Sequence, residues 1–213
     1  MKRLVDQFDF KDKTVLVRTD YNVPIKNGQI QNDMRIRASL GVIRALMVAG
    51  ARKIILVSHL GRPAGKGYEA ELSLAPVVER LSELLGQAVG WVADWQDMTP
   101  EQSPTERIIL CENLRFWSGE ADNDEVFARQ LVTATGAEVF VQDGFAVAHR
   151  QSATTDAITK LLPSYASDNF VREYLTVGGF LQTAERPLVA IVGGAKISDK
   201  IDFLTKLADE VDT

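Results

Sequence analysis

The sequence of 213 residues is poor in cysteine and histidine, with one of the first and two of the second. A single thiol, Cys111, cannot form a disulfide within the chain, which is typical of proteins from a reducing compartment. No apolar run approaches the roughly 18 residues of a membrane-spanning helix, and the first residues lack the apolar segment of a signal peptide. We therefore expect a cytoplasmic protein that does not bind membranes.

Positive charge is also scarce, because 24 Lys and Arg face 29 Asp and Glu and leave a net charge of −5. This balance disfavours general binding of nucleic acid, whose phosphates attract basic surfaces. Several catalytic motifs are missing as well: there is no Gly-x-Ser-x-Gly turn, no Walker loop, no Gly-x-Gly-x-x-Gly fingerprint and no paired His or Cys spacing for zinc. We expect neither covalent catalysis nor a metal held by protein ligands alone.

Hydrophobic residues make up 46% of the sequence and recur in two alternating patterns. Short, nearly continuous apolar runs are typical of strands buried on both faces of a parallel sheet. Between them, apolar residues at helical spacing predict amphipathic helices. The predicted strands are residues 14–17, 53–57, 107–110, 138–141 and 187–192. The predicted helices are residues 34–49, 73–85, 169–183 and 198–211, with another opened by Asn123 or Asp124 and closed by Gly136.

This alternation predicts an α/β fold, a three-layer Rossmann-like domain with a mainly parallel sheet and right-handed crossovers. A connecting helix follows this domain, and then one further strand and helix. The strand at 187–192 is either the last strand of the same sheet or the first unit of a second domain. The pattern alone leaves both possibilities open.

Charged and polar residues directly follow the predicted strands. Ligands of open α/β sheets bind beyond the carboxyl ends of the strands, so we expect these side chains to meet at one edge. The cationic candidates are Arg35, His59, Arg62, Arg115, Arg150 and Lys196. Since arginine forks match phosphate and carboxylate oxygens, they indicate a small phosphorylated acid, whose hydroxyl group Asp20 and Asn22 would recognise. Alternatively, each arginine is an ordinary surface residue.

Residues 193–200 follow the last predicted strand and open a helix. In that setting, backbone N–H groups and the helix dipole attract phosphate. A tight turn from strand to helix without a ligand is the alternative. The segment by itself does not decide between them.

Several segments together closely resemble the phosphoglycerate kinase family in order and spacing. They are residues 17–24, 58–63, 112–116, 148–150 and 193–200. Members of that family are hinge-bending monomers of two domains that transfer a phosphoryl group reversibly between 1,3-bisphosphoglycerate and ADP, giving 3-phosphoglycerate and ATP. The resemblance implies a phosphoglycerate-binding domain at 1–168, a connecting helix at 169–186 and the start of an incomplete nucleotide-binding domain at 187–213.

The resemblance also implies roles for single residues. Those implied for the carboxylate and hydroxyl end of phosphoglycerate are Asp20, Asn22 and Arg35. Those implied for its phosphate are His59, Arg62, Arg115 and Arg150. The implied catalytic residues are Arg35 and Lys196, which would neutralise the phosphoryl group in transfer. The implied contacts with the cosubstrate, Mg-ATP or Mg-ADP, are Gly194, Ala195, Lys196 and Lys200, and no residue of this chain is implied as a metal ligand.

Members of the family are much longer than this sequence, and most of their nucleotide site has no counterpart here. The resemblance therefore implies that the chain alone binds phosphoglycerate weakly and turns over negligibly. Ala146 and residues 164–169 depart from the family pattern. Two other hypotheses stay open: a non-catalytic anion-binding or interaction module descended from the enzyme, and a nucleotide-binding regulator built around Lys196 and Lys200.

Overall fold

The structure, a computed structural model, describes residues 8–192, 205, 207–208 and 211–212. The chain separates into two compact units, residues 1–171 and 172–213. The predicted phosphate loop at 193–200 lies outside the described residues, and so do Gly194, Ala195, Lys196 and Lys200. The division into domains at 1–168, 169–186 and 187–213 stays a prediction.

A six-stranded sheet forms the centre of the first unit. The strands of the chain are β1 (Thr14–Arg18), β2 (Ile25–Lys26), β3 (Gln29–Ile30), β4 (Lys53–Val57), β5 (Gly90–Val92), β6 (Ile108–Cys111), β7 (Val139–Gln142) and β8 (Ser164–Ala166). The sheet has the order β5-β6-β4-β1-β7-β8, and every neighbouring pair is parallel. The predicted strands at 14–17, 53–57, 107–110 and 138–141 are confirmed to within a residue.

The structure gives bounds for five α-helices, and residues 205, 207 and 208 are also helical. The five helices are α1 (Met34–Val48), α2 (Ala75–Leu85), α3 (Ser118–Ala121), α4 (Glu125–Thr135) and α5 (Asp168–Thr183). Gly86 and Gly136 end α2 and α4 in the left-handed conformation, and the carboxylate of Asp124 accepts the N–H of Val126 at 2.7 Å to begin α4. None of the described helices combines the length and apolarity needed to cross a bilayer.

The hydrophobic core lies on both faces of the sheet. Val15 and Val17 of β1 belong to one buried cluster, while Leu16 between them belongs to the other. Helix α1 contributes Ile36 to the first cluster, and α4 contributes Leu131 to the second. Because both faces of the central strands are covered, their sequences are continuously apolar. The three-layer α/β fold is thereby confirmed.

Short elements escape the sequence patterns. Strands β5 and β8 have three residues each, too few to show a period, and only their pairing with β6 and β7 defines them. The small antiparallel pair β2–β3 turns at Asn27 and Gly28, which have φ of 51° and 74° as a two-residue hairpin turn requires.

In the second unit, the predicted strand at 187–192 is not formed, which corrects the sequence interpretation. Val189 and Ile191 are 56% and 96% exposed there. A parallel strand needs a neighbour to complete its hydrogen bonds, and the described residues of this unit include no strand. Instead, the carboxylate of Asp212 accepts hydrogen bonds from the backbone of Leu188 at 2.7 Å and from Nη1 of Arg186 at 3.0 Å.

Candidate anion-binding site

Four parallel strands bring the segments that follow them to one edge of the sheet. Arg18, the last residue of β1, lies in register with Val57 of β4 on one side and Gln142 of β7 on the other. Strand β6 is aligned with β4, since Leu110 pairs with Leu56. The carboxyl ends of these strands therefore form the edge at which ligands of this fold class bind.

The loop after β1 carries the predicted Asp20 and Asn22. The carboxylate of Asp20 accepts a hydrogen bond from Nη1 of Arg35, in the first turn of α1, and also accepts the N–H of Asn22 at 3.2 Å. The side-chain oxygen of Asn22 accepts the N–H of Gly61 at 2.9 Å. These contacts connect the loops after β1 and β4 and hold Arg35 beside them.

Gly61 occupies a position that requires glycine. Its φ is +65°, and a Cβ atom added there would lie 2.6 Å from Cδ2 of Leu72. Its carbonyl accepts a hydrogen bond from Nη1 of Arg115 at 3.1 Å. Gly61 is therefore a junction between the Asn22 amide and the Arg115 guanidinium.

The side chain of Asn113 holds the backbone of Arg115 in place. Its side-chain amide donates to the carbonyl of Leu60 at 2.7 Å, and its side-chain oxygen accepts the N–H of Arg115 at 3.1 Å. Arg115 is half-buried, and burial together with the charges of Arg150 and Arg18 lowers the pKa of its guanidinium to about 10. It remains charged at neutral pH, in an environment that favours an anionic partner.

His59 is 2% exposed and differs from its expected role as a cation. Burial first, and then the charges of Arg18, Arg115 and Arg150, together lower the pKa of its imidazole to about 2. Nη2 of Arg18 lies 3.3 Å from its Nδ1. Because a guanidinium only donates, Nδ1 accepts and Nε2 carries the proton. His59 is thus a neutral hydrogen-bond donor at neutral pH.

Arg18 is a residue of this site that the sequence interpretation missed. It is 1% exposed, and Nη2 lies 3.5 Å from Oε1 of the equally buried Glu120. Its Nε and Nη1 are buried and make no hydrogen bond within the described residues. The available signal was a cation ending the apolar run of β1, since a charged residue so placed needs a partner.

Arg62 and Arg150 are exposed, which agrees with the alternative prediction that each arginine is an ordinary surface residue. Their charges nevertheless influence the ionisation of His59 and Arg115. Arg150 lowers the pKa of both His59 and Arg115, and Arg62 lowers the pKa of Arg115. Each predicted site residue in the described part of the chain thus either contacts a neighbour at this edge of the sheet or contributes to the electrostatic field there.

The described residues include no group of three or more His, Cys, Asp or Glu side chains that could hold a metal ion. Cys111 is fully buried, and burial raises the pKa of its thiol to about 12. A thiol of that kind is a poor nucleophile at neutral pH. The charged side chains at this edge include the arginines Arg18, Arg35 and Arg115, with the carboxylates of Asp20 and Glu120 paired to two of them.

Comparison with known proteins gives a consistent result. A sequence model described as phosphoglycerate kinase matches residues 5–213. Phosphoglycerate kinase of Dictyoglomus turgidum is 45% identical over 208 residues, covering 96% of this chain and 51% of that protein. Phosphoglycerate kinase of Moorella thermoacetica is 44% identical over 216 residues, covering 100% of this chain and 54% of that protein.

Comparison with solved structures identifies the same family. Phosphoglycerate kinase from Coxiella burnetii matches with a TM-score of 0.82 and 38% identity, covering 98% of this chain and 52% of that one. The enzyme from Pyrococcus horikoshii OT3 matches with a TM-score of 0.84 and 28% identity, covering 100% of this chain and 54% of that one. The chain thus spans about half the length of these relatives. By sequence and by fold, it belongs to the phosphoglycerate kinase family.

Proposed function

We propose that this edge of the sheet binds 3-phosphoglycerate or 1,3-bisphosphoglycerate as one half of the site for reversible phosphoryl transfer to and from adenine nucleotide. The observation that carries the proposal is the convergence of arginines on a buried, neutral histidine, beside the Asp20 carboxylate and the Asn22 amide. Cations suit the charged groups of such a ligand, and acceptors suit its hydroxyl.

The residues divide according to these ligand groups. In the proposal, Asp20, Asn22 and Arg35 hold the carboxylate and hydroxyl end. The phosphate is held by His59, Arg62, Arg115 and Arg150. Each charge-assisted hydrogen bond contributes about 1.5–3 kcal/mol, so three of them supply about 5–9 kcal/mol before the losses of ordering and desolvation.

The transfer step needs no general base, because the attacking carboxylate is already ionised at neutral pH. Positioning and neutralisation of charge then supply the rate. We assign these roles to Arg35, whose guanidinium is held by Asp20, and to Lys196. Lys196 enters only through the family resemblance.

The nucleotide half of the proposal rests on the family alone. Mg-ATP or Mg-ADP is the cosubstrate, and Gly194, Ala195, Lys196 and Lys200 would contact it. When bound, the magnesium ion neutralises phosphate charge. Since the chain spans about half the length of its relatives, we expect its 213 residues alone to bind phosphoglycerate without appreciable turnover. Action in the cytoplasm as a monomer also stays a prediction.

A titration followed by amide NMR tests the binding half. We expect saturable shifts around His59 and Arg115 with 3-phosphoglycerate up to about 10 mM, a limit that corresponds to roughly 2.7 kcal/mol of binding. Inorganic phosphate and glycerate, each carrying part of the ligand, should bind more weakly. Arg62→Ala should raise the Kd about tenfold, whereas Arg129→Ala, at an exposed position on α4, should not change it.

Two results would contradict the proposal. Absence of shifts at the sheet edge would show that the cationic cluster is no phosphoglycerate site. Equal affinity for inorganic phosphate and 3-phosphoglycerate would show an anion site that does not recognise the glycerate part.

A further inference from the structure

Glu120 is a buried carboxylate that the proposed ligand contacts do not use. It lies in the single turn of α3 and is 0% exposed. Oε1 accepts hydrogen bonds from Thr154 Oγ1 at 2.7 Å and from Ser152 Oγ at 3.0 Å, while Oε2 accepts the N–H of Thr154 at 3.1 Å. The same carboxylate lies 3.5 Å from Nη2 of Arg18. Glu120 thus connects the end of β1 with the turn at 152–154.

That turn is continuous with the segment that carries Arg150. The backbone N–H of Ala153 donates to the carbonyl of Glu120 at 2.9 Å, and Oγ1 of Thr155 donates to the carbonyl of Arg150 at 2.5 Å. The backbone from Arg150 to Thr155 is therefore anchored on α3. The exposed side chain of Arg150 therefore extends from an anchored stretch of backbone.

Arg18 depends on the same carboxylate. Among the described residues, Nε and Nη1 are buried and find no hydrogen-bond partner, and Nη2 is the guanidinium nitrogen that contacts Glu120 and His59. The buried ion pair of Arg18 and Glu120 is not expected to add much to the folding free energy. The desolvation of two charges costs about as much free energy as their attraction contributes. Removing one partner, by contrast, leaves the other charge buried without compensation.

We propose that Glu120 is a positioning residue of the anion site, which orients Arg18 against His59 and anchors the turn that carries Arg150. The inference rests on the proposed phosphoglycerate site, because it states what assembles that site before the ligand arrives. Glu120 acts through Arg18 and the turn at 152–154. A preorganised site spends less binding free energy on ordering its own side chains.

The variant Glu120→Gln separates positioning from charge. It keeps the size of the side chain and one acceptor oxygen but removes the negative charge. If only the charge of Glu120 mattered, the variant would bind the anion more tightly, because a negative charge has been removed from beside the arginines. Positioning predicts the opposite, and we expect the Kd for 3-phosphoglycerate to rise about tenfold. Thr154→Val keeps the charge and removes one hydrogen bond, and should raise the Kd about threefold.

Glu138→Gln is the matched control. Glu138 immediately precedes β7, at the other end of the sheet, where it accepts the N–H of Thr14 at 3.0 Å and pairs with Lys13 at 2.9 Å. This substitution also removes a carboxylate that holds both a backbone N–H and a cation. We expect it to lower stability without changing the Kd for 3-phosphoglycerate.

The ring nitrogens of His59 provide a readout that needs no ligand. The chain has two histidines, and the exposed His149 serves as an internal reference for ¹⁵N spectra. In the wild-type chain we expect the Nε2–H tautomer at His59, set by Arg18. In Glu120→Gln, the Nδ1 and Nε2 signals should move towards a mixture of tautomers, and a merely structural role would leave them in place.

These measurements keep the two proposals apart. If the wild-type chain does not bind 3-phosphoglycerate, the proposed function fails, while the tautomer signals still test Glu120. Unchanged His59 signals in Glu120→Gln, together with an unchanged or lower Kd, would overturn the positioning role. If Glu120→Gln does not fold, an unchanged Kd for 3-phosphoglycerate in Thr154→Val would overturn the positioning role instead.

Discussion

Acid should destabilise the folded chain through the buried imidazole of His59. Its pKa falls from an ordinary 6.5 to about 2, chiefly because the ring is buried and then because Arg18 and Arg115 lie near it. Between these two values, the unfolded chain binds a proton that the folded chain does not bind. The free energy of unfolding therefore decreases as the pH falls below about 6.5.

The size of this effect follows from the shift. One proton bound only by the unfolded state lowers stability by about 1.4 kcal/mol per pH unit. Between pH 6.5 and pH 5, His59 should therefore remove about 2 kcal/mol, a large part of the roughly 5–15 kcal/mol typical of a domain. Carboxylates with a lowered pKa, Asp33 and Glu138, lose their contribution at lower pH, below their ordinary 3.8 and 4.5.

Urea denaturation of the wild-type chain and of His59→Asn at several pH values between 7.5 and 5 measures the effect. Asparagine offers an acceptor near the position of Nδ1 but does not bind a proton in this range. We expect the variant to be less stable at pH 7.5 and its pH dependence to be flatter by about 2 kcal/mol. His149→Asn, at the exposed histidine, is the control, and its curve should parallel that of the wild type.

Parallel curves for the wild-type chain and His59→Asn would refute the reasoning. They would show that the folded chain accepts the proton at His59 as readily as the unfolded chain does. The ring would then be neither as buried nor as closely surrounded by guanidinium groups as the structure has it.

Further predictions concern the backbone, the thiol and the core. Gly61→Ala should lower the free energy of unfolding by about 2–3 kcal/mol and weaken ligand binding, because Gly61 has a φ of +65° and a Cβ atom there would meet the side chain of Leu72. Gly28→Ala should lower the free energy of unfolding by about 1 kcal/mol, because Gly28 has a φ of +74° but open space around it. Cys111, fully buried with its pKa raised to about 12, should react with a thiol reagent only as urea unfolds the chain. Leu16→Ala should lower the free energy of unfolding by about 3 kcal/mol in urea denaturation.

Each of these has an outcome that would contradict it. Equal losses for Gly61→Ala and Gly28→Ala would show that Leu72 moves aside without strain. Labelling of Cys111 at full rate in the folded chain would contradict its burial. Val189→Ala, at a position 56% exposed, is the control for Leu16→Ala, and equal losses at the two would contradict the packing of the second cluster.

The main elements and the candidate site were predictable where the signal is local. Apolar runs marked β1, β4, β6 and β7, and Gly86 and Gly136 marked the ends of two helices. Periodicity failed where an element is too short to show a period, as in β5 and β8. It also failed at 187–192, where the apolar run is as good as the others but no neighbouring strand is described.

By itself, the sequence determined the α/β class and indicated several residues of the carboxyl edge, because the apolar period and the polar residues that follow each apolar run are properties of the chain. Only the tertiary structure decided the charge of His59, the burial of Arg18 and the connection through Glu120. The reason is physical: ionisation depends on desolvation and on charges distant in sequence. Arg18, His59 and Glu120 become neighbours only when the ends of β1 and β4 and the short helix α3 come together.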